Sequence, residues 1–344
     1  MRIAVAGLSA RLMAEAAARA GYEVVALDLF GDVDTRAAAV EWHSIGDAAE
    51  LRIDGQRLLD TLQGAAVQGW IAGSGFEAQP ALLARAAALS PSLPLLGTAP
   101  EDAARIRDPA LFFGLLAACD IEHPPWGVEV PRDGRPWLRK NARACGGVHV
   151  ERVVAGARLP SPHHYFQQEI AGPAMSATFE ADGHSAVVLG INEMILAPGS
   201  FAFRGVVGPL SVPDALTRKV SGIVARLAES FRLRGLCSLD FIRTGEASLS
   251  VLEVNARPPA SMALYPAGDE TRGLEIVFAR RAGEITRSLA QPGVHDIPQP
   301  GTRYAAGDPI CSVSAAGPTP AIVRSRLADA REALLDSLEK KSHV

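Results

Sequence analysis

Asp240, Glu253 and Asn255 are the residues whose types and spacing best suit chemistry. They lie in the segment CSLDFIRTGEASLSVLEVNARP, where two apolar runs flank a turn containing Gly245. That pattern predicts a β-hairpin. A turn centred on Glu246–Ala247 sets Asp240 directly opposite Glu253. Opposed side chains lie about 4.5–5.5 Å apart and like charges there repel, so a positive group is expected between them. Asn255 lies two positions beyond Glu253 and projects from the same strand face. Two carboxylates and an amide oxygen form a hard donor set that suits Mg2+ or Mn2+, and Mg2+ completes its shell with water and substrate phosphates. A solvated acidic edge is the alternative, and the apolar SVLEVN setting of Glu253 argues against it.

A second segment, WLRKNARACGGVHV, ends an apolar strand at Lys140 and continues into a small-residue loop with Gly146 and Gly147. Glycines let backbone amides approach phosphate oxygens, and a nearby lysine adds a point charge. A glycine pair also occurs in ordinary hairpin turns, so this signal gains meaning from the acidic hairpin. Other candidates point elsewhere. His163 and His164 are adjacent on an extended segment and project to opposite faces, which does not suit a shared ion. Cys119, Cys145, Cys237 and Cys311 are widely spaced, without a CxxC pair, which fits reduced thiols and neither zinc nor a disulfide framework. Gly7, Ser9 and Asp28 suggest a dinucleotide site, but the loop GLSARLM lacks G-x-G-x-x-G. Trp126 and Trp137 are expected in the core, and Tyr265 is a candidate for the acceptor pocket.

The elements that position these residues follow from the apolar pattern. RIAVA, a helix to about Ala20 capped by Gly21, and YEVVALDLF form a βαβ unit, which predicts a parallel sheet. A helix over Gly55–Gly64, the strand GWIAGS, a helix near Pro80–Leu89 and a short strand LPLLG complete a unit ending near residue 97. A helical stretch from Ala99 to Pro125 precedes a strand-rich region, and helices are expected over Pro213–Phe231, near Glu275–Leu289 and from about Pro320. The 344 residues suit two or three packed units, and 48% hydrophobic with 21% charged residues suits a substantial core. A net charge of −4 gives no footprint for nucleic acid or an anionic membrane. The opening MRIAVAG reads as a buried strand rather than a signal peptide, and a cytoplasmic location is expected.

Lys140 before a glycine loop, then YFQQEIAGPAMS, Asp240 and LEVNARP, is an order of parts that resembles the ATP-grasp enzymes. LEVNARP is similar to that family's E-x-N-x-R-P motif. The opening GLSARLMAEAAARAGYEVVALDLFGDVDT resembles a group of ATP-grasp proteins related to biotin carboxylase, found with one-carbon (methanopterin and methanofuran) metabolism. GDPICSVSAAGPTP is similar to that group's closing segment.

The resemblance implies an α/β (α+β ATP-grasp) fold. Residues 1–97 would form a Rossmann-like pre-ATP-grasp domain with a parallel βαβ sheet. Residues 98–290 would form the ATP-grasp domain, with a lid at about 126–172, and residues 291–344 a small C-terminal β/α segment. It further implies that Lys140 contacts the α- and β-phosphates of ATP and that Gly146 and Gly147 form a flexible lid. The strand Gln167–Ala171 would be the hinge to the adenine, with Gln168, Glu169 and Ile170 binding ATP and the backbone of Glu169 and Ile170 reading the base. Asp240, Glu253 and Asn255 would bridge Mg2+ to the β- and γ-phosphates, and Arg257 would act at the transferred phosphoryl group. The sequence departs from the family where a first-helix lysine is common: RIRDPALFF offers Arg105 or Arg107 instead. The hinge also lacks an obvious ribose-binding acid, leaving Glu169 or Glu180. The activity implied is ligation of a small-molecule carboxylate to an amine, in a homodimer. Carboxylation of the biotin-carboxylase kind and a non-catalytic ATP-binding regulator are the rivals.

Overall fold

The computed structural model describes residues 1–265, 268 and 270–339. Its first unit is a four-stranded parallel sheet in the order Glu41–Ser44, Glu23–Asp28, Arg2–Ala6, Trp70–Ala72. Alternate residues of the central strands enter opposite cores, as the period of two in a strand requires. Ile3, Val5, Val24 and Ala26 pack under the helix Arg11–Arg19, whereas Ala4, Ala6, Val25 and Leu27 pack under Gly55–Gly64 and Pro80–Ala87. Gly21 adopts a left-handed φ of 84° at the end of the first helix, and its amide donates to Ala18 O at 3.0 Å. LPLLG contributes only a single bridge, Leu95 to Trp70.

Residues 126–168 form a separate four-stranded antiparallel sheet in the order Trp126–Gly127, His164–Gln168, Trp137–Asn141, Glu151–Val153. An eight-stranded antiparallel sheet carries the acidic hairpin at one edge, with Leu249–Asn255 outermost and Arg234–Arg243 next to it. The helix Asp214–Ser230 covers this sheet, burying Leu216, Val220, Val224 and Leu227 in the main core. The architecture is mixed α/β, as expected.

Two stretches differ from the sequence expectation. The helix expected near Glu275–Leu289 is instead the strand Thr271–Phe278 followed by a short strand Gly283–Glu284. Ile276, Val277 and Phe278 favour a pleated surface, and ladders to Phe203–Gly208 and Pro309–Gly317 on its two sides decide the matter. The helical stretch after Ala99 is two helices, Pro100–Ile106 and Pro109–Ala118. Asp108 breaks it by capping the second: its side chain accepts from the amides of Ala110 and Leu111, with Pro109 at the first helical position.

The closing segment is tied to the first unit at Arg11. That guanidinium donates to Asp296 at 2.7 and 3.1 Å and to Glu15 at 3.2 Å, while Asp34 accepts from the amides of Asp296 and Ile297. Among the described residues no helix is long and apolar enough to cross a membrane.

Candidate functional site

Asp240 faces Glu253 across the hairpin, as the sequence predicts, but a bulge brings them there. Arg243 pairs with Leu249, a register that would continue to Asp240 opposite Leu252. A shift between Asp240 and Phe241 skips Leu252 and turns Glu253 onto the Asp240 face. Asn255 Nδ2 then donates to Asp240 Oδ2 at 3.0 Å. All of the predicted metal ligands therefore share one face of the hairpin. Burial, and then the facing Glu253, push the Asp240 carboxyl above its ordinary range. Burial also works to raise Glu253, but Lys140 and then Arg107 outweigh it and keep that group ionised.

Lys140, on the strand Trp137–Asn141, is buried, with Nζ 3.3 Å from Gln167 Oε1 and 3.9 Å from Glu253 Oε2. Burial opposes its charge, and Tyr165 and Glu253 more than compensate, so the ammonium is retained. Arg107 answers the question of which arginine approaches the site. Its Nη1 lies 3.8 Å from Glu253, and its other nitrogens donate to the carbonyls of Ala142 at 2.9 Å and Ala144 at 2.5 Å. Arg105 turns away to Asp102. Arg257 reaches across the molecule to Glu77, whose other oxygen accepts from Gly75 N at 2.7 Å. Burial opposes the Arg257 charge and Glu77 sustains it. Lys140, Arg107 and Arg257 thus balance Asp240, Glu253 and Glu77.

The loop after Lys140 turns through Gly146 and Gly147, both left-handed with φ of 72° and 74°. It is docked on the large sheet, since Phe203 N donates to Gly146 O at 2.8 Å. Two buried side-chain nitrogens near Lys140, Gln167 Nε2 and His149 Nδ1, have no hydrogen-bond partner among the described residues. Burial pushes His149 below its ordinary value, so it is neutral. Unpaired buried donors and acceptors are costly, and a polyanionic ligand with its cation fits a site that offers them beside opposed carboxylates. The donor set likewise fits a hard divalent cation.

In the segment expected to be the hinge, the amides of Gln168 and Glu169 donate to Pro125 O and Pro136 O, and Arg152 holds the Glu169 carboxylate at 2.7 and 2.9 Å. Glu180 is exposed. Tyr265 donates to Asn192 Oδ1 at 2.9 Å, within a buried polar network that includes Thr178 and Ser261. His164 pairs with Ser161, at 2.8 Å. Asp28 is saturated by the amides of Ala10, Phe30 and Gly31 and by the Trp42 indole, leaving it nothing to offer a ribose. Sequence reasoning did not single out Glu77, His149 or the Gln167 amide. Only the fold brings them to Arg257 and Lys140.

Residues 122–261 match the family described as ATP-grasp domain. Among curated proteins it is similar to the carbamoyl phosphate synthase large chain of Thermoplasma acidophilum, 27% identical over 192 residues. That alignment covers 49% of this chain and 18% of the relative, so the chain spans well under half of the relative's length. Among solved structures it is similar to the biotin carboxylase domain of a single-chain bacterial carboxylase, with TM-score 0.69, 19% identity and coverage of 95% and 88% of the two chains. It is also similar to a biotin carboxylase–βγ-ATP complex from Campylobacter jejuni, with TM-score 0.72, 12% identity and coverage of 98% and 95%. A third is the biotin carboxylase domain dimer of Hydrogenobacter thermophilus 2-oxoglutarate carboxylase, bound to MgADP, ADP and bicarbonate, with TM-score 0.71, 14% identity and coverage of 95% and 89%. At these identities the likeness establishes the fold.

Proposed function

We propose that this chain, built around an ATP-grasp domain, is an ATP- and Mg2+-dependent ligase that joins a carboxylate to an amine. The observation that carries this reading is the facing of Asp240 and Glu253 beside Lys140 and Arg107. Asp240, Glu253 and Asn255 would hold Mg2+ (or Mn2+), which supplies charge neutralisation at the β- and γ-phosphates when bound.

The protein's own groups do the positioning. Lys140 neutralises nucleotide phosphate charge, and Gln167 Nε2 and His149 are free to contact nucleotide oxygens. The Glu169 amide is committed to Pro136 O, so the base is read by the Glu169 carbonyl and the Ile170 amide. Gln168 borders the same hinge. Gly146 and Gly147 let the loop cover the phosphates and exclude water from a reactive intermediate. Glu77 fixes Arg257, which neutralises charge at the reacting centre.

In the reaction a substrate carboxylate oxygen bonds to the γ-phosphorus as its bond to ADP breaks, giving an acyl phosphate. The amine then attacks the acyl carbon, phosphate leaves, and the nitrogen loses a proton to form the amide. Such chemistry requires mainly positioning and charge neutralisation. The resemblance of the opening and closing segments supports one-carbon cofactor biosynthesis as the setting, with a cytoplasmic homodimer as the assembly.

The likeness of fold to biotin carboxylases favours a second reading, carboxylation through carboxyphosphate. A screen of ADP release with amino acids and carboxylates, beside [14C]bicarbonate incorporation, separates the two. Amine-dependent ADP release without label in product supports the ligase, and label in product supports the carboxylase. A Glu253→Ala protein that stays folded and keeps substrate-dependent turnover contradicts both.

A further inference from the structure

A cavity of about 500 Å3 lies between the first unit and the ATP-grasp domain. Its wall is divided by chemistry. One end is formed by Asn255, Arg257, Glu77 and Arg107, the reacting end of the proposed site. The body is apolar, with Met13 from the first helix, Ile71 from the edge strand, Leu83 and Leu96 from the segments after it, and Met262 from beyond the hairpin. Tyr22 and Leu96 line it while remaining exposed, at 39% each, and Met1 is 59% exposed. Met13 and Leu83 belong to the adjoining cores, whereas Met1, Tyr22 and Leu96 keep exposed apolar surface at the hollow, and apolar surface gathered around one cavity fits an apolar ligand. The volume lies within the range that encloses a small organic molecule, about 300–1,000 Å3.

We infer that the carboxylate substrate is an acid with an extended apolar body, aromatic or alkyl, seated in this cavity with its carboxylate at Arg257. This rests on the ligase reading and narrows its substrate class. Bicarbonate or a small polar amino acid would leave the apolar wall wet. An acid with an aryl or alkyl body buries it and delivers its carboxylate to the Arg257 end, which adjoins Glu253, while Asp108, Arg143 and His163 add further polar groups to the wall. Gly97 supplies a structural handle. It lines the cavity, and a Cβ built on it meets no atom within 4 Å, so a side chain there projects into open space without disturbing the core.

The test is calorimetric titration of the full chain, with Mg2+ and a non-hydrolysable ATP analogue, using phenylacetate, 3-phenylpropionate, 4-phenylbutyrate, succinate and glutarate as probes. The phenylalkanoates should bind one per chain, tightening by about threefold to fourfold per methylene. The dicarboxylates should bind at least about tenfold more weakly, as expected when polar groups are buried without partners. Gly97→Leu should weaken the phenylalkanoates by a similar factor while leaving nucleotide affinity unchanged, and Gly97→Ala should have a smaller effect on the same series. Nucleotide binding with no chain-length dependence, with dicarboxylates equal to phenylalkanoates, or with an indifferent Gly97→Leu variant, overturns the substrate class and leaves the ligase reading standing. Absence of Mg2+-dependent nucleotide binding overturns the site on which the inference rests, and the inference with it.

Discussion

Two clusters of carboxylates in this molecule are built in opposite ways. Around Arg11, the acids Asp296, Glu15 and Asp34 are held by direct hydrogen bonds from one guanidinium and from backbone amides. At the hairpin, Asp240 and Glu253 face one another, and the cations nearest Glu253, Lys140 and Arg107, stand back at 3.9 and 3.8 Å. In the first cluster, direct hydrogen bonds hold Asp296, Glu15 and Asp34 and join the closing segment to the first unit. The second leaves like charges opposed and buried nitrogens of Gln167 and His149 unpaired among the described residues. A buried polar cluster that satisfies itself is a joint, whereas one that is balanced in charge but unsatisfied in contacts has room for a ligand.

Substitutions separate the two. The largest effect is expected at the hairpin. Glu253→Gln should lower substrate-dependent ADP release by about 100-fold or more, the scale of losing one preorganised electrostatic group, with circular dichroism unchanged. Asp296→Ala should do the reverse. It leaves Arg11, 2% exposed, short of its closest partner, and should cost about 2–4 kcal/mol by denaturant unfolding, with nucleotide affinity unaltered. The Asp296 side chain is 25% exposed, so water screens the pair and its loss costs less than that of a fully buried one.

The same joint predicts a pH effect. Burial, then Asp296 and Asp28, push Asp32 up to about 8 from an ordinary 3.8. Between those values the folded protein holds a proton that the unfolded chain has released, so stability falls as pH rises. From pH 6 to 7.5 the loss should be about 2 kcal/mol, and Asp32→Asn should remove it, as read from unfolding midpoints across that range. The smallest effect is expected at the exposed Arg152–Glu169 pair. Glu169→Ala should cost no more than about 1 kcal/mol. An accompanying loss of nucleotide affinity would make Glu169 the ribose-binding acid.

Much of the site was legible because hairpin periodicity and the LEVNARP string place Asp240, Glu253, Asn255 and Arg257 on neighbouring strands. The bulge at Leu252 was not, since LSVLEVN reads equally well in either register and the correct pairing emerged from a turn placed one half-position away. Glu77 was invisible because its partner lies 180 positions along the chain, and GSGFEAQP carries no motif. Arg107 was legible only as a departure from the family pattern, and its hydrogen bonds to Ala142 and Ala144 depend on tertiary approach. The parallel sheet of the first unit is readable from strand and helix alternation, whereas Glu275–Phe278, expected at the start of a helix, is extended because ladders on both sides add to its β-branched and aromatic propensity.

Whether the hairpin holds a nucleotide-bound cation is read by titrating Mn2+ into the protein with a non-hydrolysable ATP analogue and following bound Mn2+ by electron paramagnetic resonance, for wild type and Asp240→Asn. Nucleotide-dependent Mn2+ binding is expected in the wild type and should be lost in the variant, with folding intact. Equal nucleotide-dependent Mn2+ binding by both proteins would contradict a cation site at the hairpin.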